Sequence, residues 1–217
     1  MKVLIIGGKT PLSDACAALF QEKGCEVAES AELGKEAVAE GITALGQMDT
    51  LVVLPPKRET GPIAEADSGE IDRIFGGYYR DLLFSLQAAA RHMRENGVKG
   101  SVVVVTDVAG ERASADDALF GAAFAAVQRS VQSFALQTAP HGIRINCVAL
   151  GGIREGEADE RMPLLRWGSW REAAEAIWLP CSPEASYITG AVLTCDGGYS
   201  LPGMPETDEG YAWDPTR

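Results

Sequence analysis

The chain has 217 residues, 46% hydrophobic and 23% charged, enough for one domain with a full apolar core. A formal net charge of −12 and a pI near 4.6 argue against nucleic acid or an anionic membrane as partner, and read most simply as solubility. Cys16, Cys25, Cys147, Cys181 and Cys195 form no CxxC pair and only two histidines are present, so no metal site is expected.

In chain order, Val3–Ile6 is a β-branched apolar run closed by Gly7-Gly8, the pattern of a buried parallel strand. This opening run is too short, and ends too soon in glycine, for a secretory leader, and no segment is long enough to span a bilayer; a cytoplasmic protein is expected. Thr10-Pro11 supplies an N-cap and a first-turn proline for a helix that runs to Lys23 and stops at Gly24. Strands follow at Cys25–Ala28 and Thr50–Leu54, with a helix Glu36–Leu45 between them and Pro55-Pro56 after.

Apolar positions Ile71, Ile74, Phe75, Tyr78, Leu82, Leu86, Ala89 and Met93 keep helical spacing within a long helix, Ser68–Glu95. Ser101–Val105 is a strand, Leu119–Thr138 a second long helix, Ile143–Ala149 a strand, Trp170–Leu179 a helix, and Ala191–Cys195 the last strand. This alternation predicts an α/β domain over residues 1–200 with a parallel sheet, and an acidic, Pro- and Gly-rich tail over 201–217 in which Tyr211 and Trp213 stand as aromatics. Cys147 and Cys195 read as buried thiols, and Trp167, Trp170 and Trp178 as packing residues around one helix.

Three stretches then carry a resemblance: Ser101–Gly110, Ala139–Ala149 and Tyr187–Gly198, with Arg166-Trp167-Gly168 between them. From residue 71 to 200 the chain is similar to the short-chain dehydrogenases/reductases. The resemblance implies a Rossmann-like, doubly wound sheet and NAD(P)-dependent chemistry on alcohols and carbonyls. Only about two dozen residues separate the second strand from Thr50, so the family's third strand and one helix are expected to be missing.

Against the family's pattern, the three glycines of the phosphate loop fall on Gly7, Pro11 and Ser13, and the cofactor-lining turn after the next strand falls on Val53, Leu54, Pro55 and Pro56. An acidic residue after the second strand remains, Glu29 or Glu32, read here as a solvated carboxylate. The catalytic Tyr, Lys, Ser and Asn fall on Phe120, Phe124, Asp107 and Tyr78. A phenyl ring moves no proton and holds no ribose. Phe120, Phe124, Tyr78 and the Pro55-Pro56 corner are therefore expected to fill the nicotinamide groove, and Asp107 to accept turn amides.

The resulting expectation is a non-catalytic subunit that binds no cofactor. It would pair through its two long helices and last strand with an active homologous subunit carrying NAD(P), as in hydroxyacyl-CoA-type dehydrogenases of anaerobic benzylsuccinate breakdown. The alternative is a cofactor-independent isomerase, cyclase or dehydratase using Asp107 and Tyr78, with a pocket under the loop Gly151–Met162 and its Arg154 and Arg161. A sensor that binds a nucleotide without turnover is the third reading.

Overall fold

The computed structural model describes residues 1–56, 61–113, 115, 117–156 and 162–201. Tyr211, Trp213 and Arg161 lie outside them. Six strands form one parallel sheet: β1 (Lys2–Ile6), β2 (Glu26–Ser30), β3 (Thr50–Val53), β4 (Ser101–Asp107), β5 (Arg144–Leu150) and β6 (Val192–Cys195), in the order β2-β1-β3-β4-β5-β6. The chain leaves β1 for β2 on one side and returns to β3 on the other. The switch point between β1 and β3 is where a doubly wound sheet opens a crevice at its carboxyl edge.

The sheet is reduced as anticipated. One helix, α2 (Lys35–Leu45), joins β2 directly to β3, and β2 is an edge strand. Leu4, Ile6, Leu51, Val53, Val102, Val104, Ile145 and Cys147 face one layer, made by α2, α4 (Arg80–Glu95) and α5 (Ala118–Thr138). Val3, Ile5, Val52, Val103, Val105 and Val148 face α1 (Pro11–Glu22) and α6 (Trp170–Cys181). Two covered faces explain why β1, β3, β4 and β5 are near-continuous apolar runs. Gly41 of α2 lies against the Leu4 side chain, where a Cβ would come within 2.4 Å.

Three expectations shift. The strand expected at Cys25–Ala28 lies at Glu26–Ser30, because Glu29 and Ser30 continue the ladder with Ile5 and Ile6. The helix expected over Ser68–Glu95 is three pieces: α3 (Ser68–Ile71), a π-helical segment (Asp72–Tyr79) and α4. Cys147 is fully buried, whereas Cys195 is only half-buried. Of the tryptophans, Trp178 packs edge-on against Phe20 at 5.1 Å, as a packing residue should.

The start of α6 holds a titrating device. Ser169 and Glu172 form a capping box, and Arg166 grips the Glu172 carboxylate with two bonds of 2.9 and 2.6 Å. The Arg166 bonds, then the Ser169 amide and hydroxyl, hold the Glu172 carboxyl down to about 2. A depressed folded-state value stabilises above the unfolded value of about 4.3 and ceases to do so as pH falls towards 2. Wild type should therefore melt above Glu172→Gln at pH 6, and scanning calorimetry should find the gap closing between about pH 4.5 and 2. The gap stays small, since solvent screens this exposed pair.

Candidate functional site at the carboxyl edge of the sheet

The turn after β1 is set by sterics. Gly7 and Gly8 have φ of +110° and +126°, and a Cβ on Gly7 would lie 2.3 Å from the carbonyl oxygen of Leu54. Thr10 then caps α1. Its Oγ1 accepts from the Ser13 amide at 3.2 Å, and the Ser13 hydroxyl accepts from the Thr10 amide at 2.8 Å. Pro11 has no amide to give. Two of the amides at this helix start, those of Thr10 and Ser13, are thus taken up by the helix's own cap.

Beside that turn, at the switch point, lies a cleft of about 290 Å³. Gly7 closes one end, Ala31, Glu32 and Leu33 follow from the end of β2, and Pro56 follows from the end of β3. Arg73, Ile74, Gly77 and Tyr78 of the π-helical segment, with Asp81 and Phe120, form the opposite wall. The rings do pack as a cluster: Phe120 and Phe124 have centroids 5.9 Å apart, and Tyr78 meets Phe124 edge-on at 5.7 Å. All three are buried. Tyr78 and Phe120 border an open cleft, while Phe124 is held in the core beside them. The rings turn inward, onto the sheet layer that holds Cys147 and Val104. Glu32 is also more than a loop carboxylate, since it borders this cleft.

A second cleft, of about 400 Å³, lies beyond β4 and β5 and is bordered by Asp107, Arg112, Gly151, Met162, Trp167 and Tyr199. Asp107 behaves in part as the turn residue expected, for its Oδ1 accepts the Ala109 amide at 2.8 Å. Asp107 also lines the cleft. Arg112 spans the mouth and donates to the carbonyl of Ser200. Asp196, buried beneath, fixes the loop that carries Tyr199 by accepting from the Gly198 amide at 2.8 Å and the Ser200 amide at 2.6 Å. Trp167, expected only to pack, lines this cleft with the Arg154 guanidinium stacked 3.8 Å from its ring. Sequence reasoning missed Arg112, Tyr199 and Asp196; the turn Asp196-Gly197-Gly198 was the signal that could have pointed to them.

The six-stranded, doubly wound sheet is shared with known enzymes. Residues 9–200 match the family model described as enoyl-(acyl carrier protein) reductase. The chain is a short-chain dehydrogenase/reductase. Among the relatives of this family, a glucose 1-dehydrogenase of Gluconobacter oxydans is 26% identical, across 93% of this chain and 92% of its own. The L-rhamnose 1-dehydrogenase (NAD(P)(+)) of Azotobacter vinelandii is 30% identical, across 79% and 73%. The crystal structure of acetoin dehydrogenase YohF from Salmonella typhimurium superposes with a TM-score of 0.86 at 26% identity, covering 94% of this chain and 99% of that one.

These findings overturn the expectation of a non-catalytic subunit, and with it the cofactor-independent alternative. These three relatives are dehydrogenases by name, and each matches this chain over most of its length. Phe120 and Phe124 carry no group that moves a proton, and that alone does not establish inactivity. Among the described residues no helix is long and apolar enough to cross a membrane.

Proposed function

We propose that this chain is an oxidoreductase that interconverts a small alcohol and its carbonyl compound, using a nicotinamide nucleotide. The nucleotide's adenosine end would occupy the switch-point cleft, and its nicotinamide end would have to reach the cleft beside Asp107, where it would meet the substrate. The observation that carries the reading is that the switch-point cleft is open, in the place where such sheets take nucleotides. A nucleotide fits here through side chains more than through the amides of α1. The Glu32 carboxylate can accept ribose hydroxyls, while Arg73 in the cleft and exposed Lys9 on the loop after β1 offer charge to phosphate. When bound, the nicotinamide supplies the hydride acceptor or donor.

The chain's own part is proton transfer and orientation. Phe120 and Phe124 cannot move a proton, so the hydroxyl proton of the alcohol passes to the Asp107 carboxylate at the end of β4, and returns from it in the reverse direction. Arg112, Trp167 and Tyr199 bound the substrate and shield it from water. Glu32 repels a 2′-phosphate, which favours NAD over NADP.

Tryptophan fluorescence during titration with NAD⁺, NADH, NADP⁺ and NADPH tests the first half. Binding of NADH roughly tenfold tighter than NADPH is expected. Turnover of a panel of aldoses and hydroxyketones, followed by nicotinamide absorbance, tests the second. Asp107→Asn should keep NADH affinity and lose turnover by about 10²–10⁴-fold. Failure of all four nucleotides to bind at millimolar concentration would sink the proposal.

A further inference from the structure

One wall of the switch-point cleft holds a polar atom that the fold leaves unused. Among the described residues, the Tyr78 hydroxyl is the buried side-chain group without a hydrogen-bond partner. Tyr78 is 5% exposed and sits edge-on to Phe124. Burial pushes its phenol well above the usual range, so it remains a neutral donor at any working pH. A phenylalanine would fill the same space without the desolvated hydroxyl, as Phe120 and Phe124 already do nearby. A purely structural role gives no reason for the oxygen.

The backbone that carries Tyr78 supplies the second observation. Asp72–Tyr79 is π-helical over eight residues, far longer than the single-turn bulges in which this conformation usually occurs. Gly76 and Gly77 lie within it. A Cβ on Gly77 would meet nothing within 4 Å, and one on Gly76 would meet only Arg80 Nη1 at 3.9 Å. The segment therefore has free space beside it and no side chain at its centre to obstruct a change of winding. Tightening from π to α advances the register by a residue, which turns a side chain by about 100° around the helix axis. Arg73, Ile74 and Gly77 of this same segment border the cleft with Tyr78.

We propose that Tyr78 is a binding residue for the occupant of the switch-point cleft: filling the cleft draws the 72–79 segment from π towards α winding, and the Tyr78 hydroxyl swings out of the core to donate to an acceptor oxygen of the ligand. The acceptor is a ribose or phosphate oxygen, so this inference rests on the nucleotide reading above. In the resting chain the hydroxyl is a cost held in store, and the ligand relieves it.

The test compares wild type with Tyr78→Phe. Without ligand, the variant should melt higher, by roughly 2–6 °C, because it removes a desolvated hydroxyl. With NADH, titrated by fluorescence, it should bind about tenfold more weakly. Amide hydrogen exchange in wild type should slow across residues 72–79 when NADH is added. A variant that melts at or below wild type shows that the hydroxyl has a structural partner, and the inference fails. It fails equally if Tyr78→Phe binds NADH as tightly as wild type, or if exchange in the segment is unchanged by NADH; in both cases the nucleotide reading survives. If wild type binds neither NADH nor NADPH, both fall together.

Discussion

Gly7→Ala should cost the fold roughly 2–5 kcal/mol and at the same time degrade the switch-point cleft. Two separate penalties meet at this residue. Its φ of +110° lies where an L side chain is strained, for about 1–2 kcal/mol. Its Cβ would also fall 2.3 Å from the Leu54 carbonyl oxygen and 3.1 Å from the carbonyl carbon. Neither atom belongs to a flexible side chain, so the end of β3 must move. That end is held by the Leu54 amide donating to the Ile6 carbonyl at 2.8 Å, while the Gly7 amide donates to Ser30 on the other side at 3.2 Å. Relief of the clash must therefore pull β1 away from β2 or from β3, at the point where the cleft opens. Gly8→Ala is the matched control. It shares the positive φ, at +126°, but its Cβ meets only Thr10 Cγ2 at 3.9 Å. Urea unfolding should rank wild type above Gly8→Ala above Gly7→Ala, with the second gap reporting the clash alone. NADH affinity should fall at least about tenfold in Gly7→Ala at temperatures where it remains folded. Equal stabilities for the two alanine variants would show that β1 and β3 yield without cost.

The same glycine marks how far the sequence reaches. A β-branched run stopped by Gly7-Gly8 and followed by Thr10-Pro11 identifies strand, turn and helix start, because each feature is local: a buried strand, a positive-φ turn, and a capped first turn with proline. The short distance from β2 to Thr50 likewise limits the connection to one helix, which α2 is. The strand limits of β2 are less legible. Glu29 and Ser30 look like loop residues, but an edge strand needs only backbone pairing with Ile5 and Ile6.

The π-helical segment was hidden for a different reason. Ile71, Ile74, Phe75, Tyr78 and Leu82 satisfy α spacing, and the adjacent Gly76-Gly77 was the one sign of weakness. Ile71 proves 42% exposed, so the apolar stripe does not continue unbroken through the segment. At the site, the absence of an ionisable group from Phe120 and Phe124 is plain from residue types. Whether rings fill a groove or line it depends on which way they turn. That is decided by the layer of Val104, Cys147 and Val127 beneath them, which no local pattern reports. The apolar character of two positions was therefore legible, and the space left beside them was not.

Arg144 is the residue whose importance the sequence conceals most, since a charged side chain at the start of a strand ordinarily points to solvent. Here its guanidinium reaches under the end of α6. Nη1 donates to the Pro180 carbonyl at 2.6 Å and to Ile188 at 3.3 Å, and Nη2 donates to Ser182 at 3.3 Å and Cys181 at 3.5 Å. The final carbonyls of a helix have no partners of their own, and those of α6 are buried against the sheet. One planar, five-donor cation thus ends α6, fixes the chain that leads from it to β6, and ties both to the first residue of β5. Arg144→Met preserves much of the apolar stem and removes the donors, leaving the Pro180 and Cys181 carbonyls under-satisfied. The expected cost is about 2–4 kcal/mol, or a fall in melting temperature of roughly 5–15 °C. Arg144→Lys should recover less than half, because an ammonium cannot hold the same spread of carbonyls. The chain that Arg144 fixes leads through β6 to the Asp196 turn and so to Tyr199 at the cleft beside Asp107, so on the proposed function a folded Arg144→Met sample should also show a raised KM at an unchanged NADH affinity. A methionine variant within about 0.5 kcal/mol of wild type would mean that water replaces the guanidinium there, and that the cleft's far wall is held by the Asp196 turn alone.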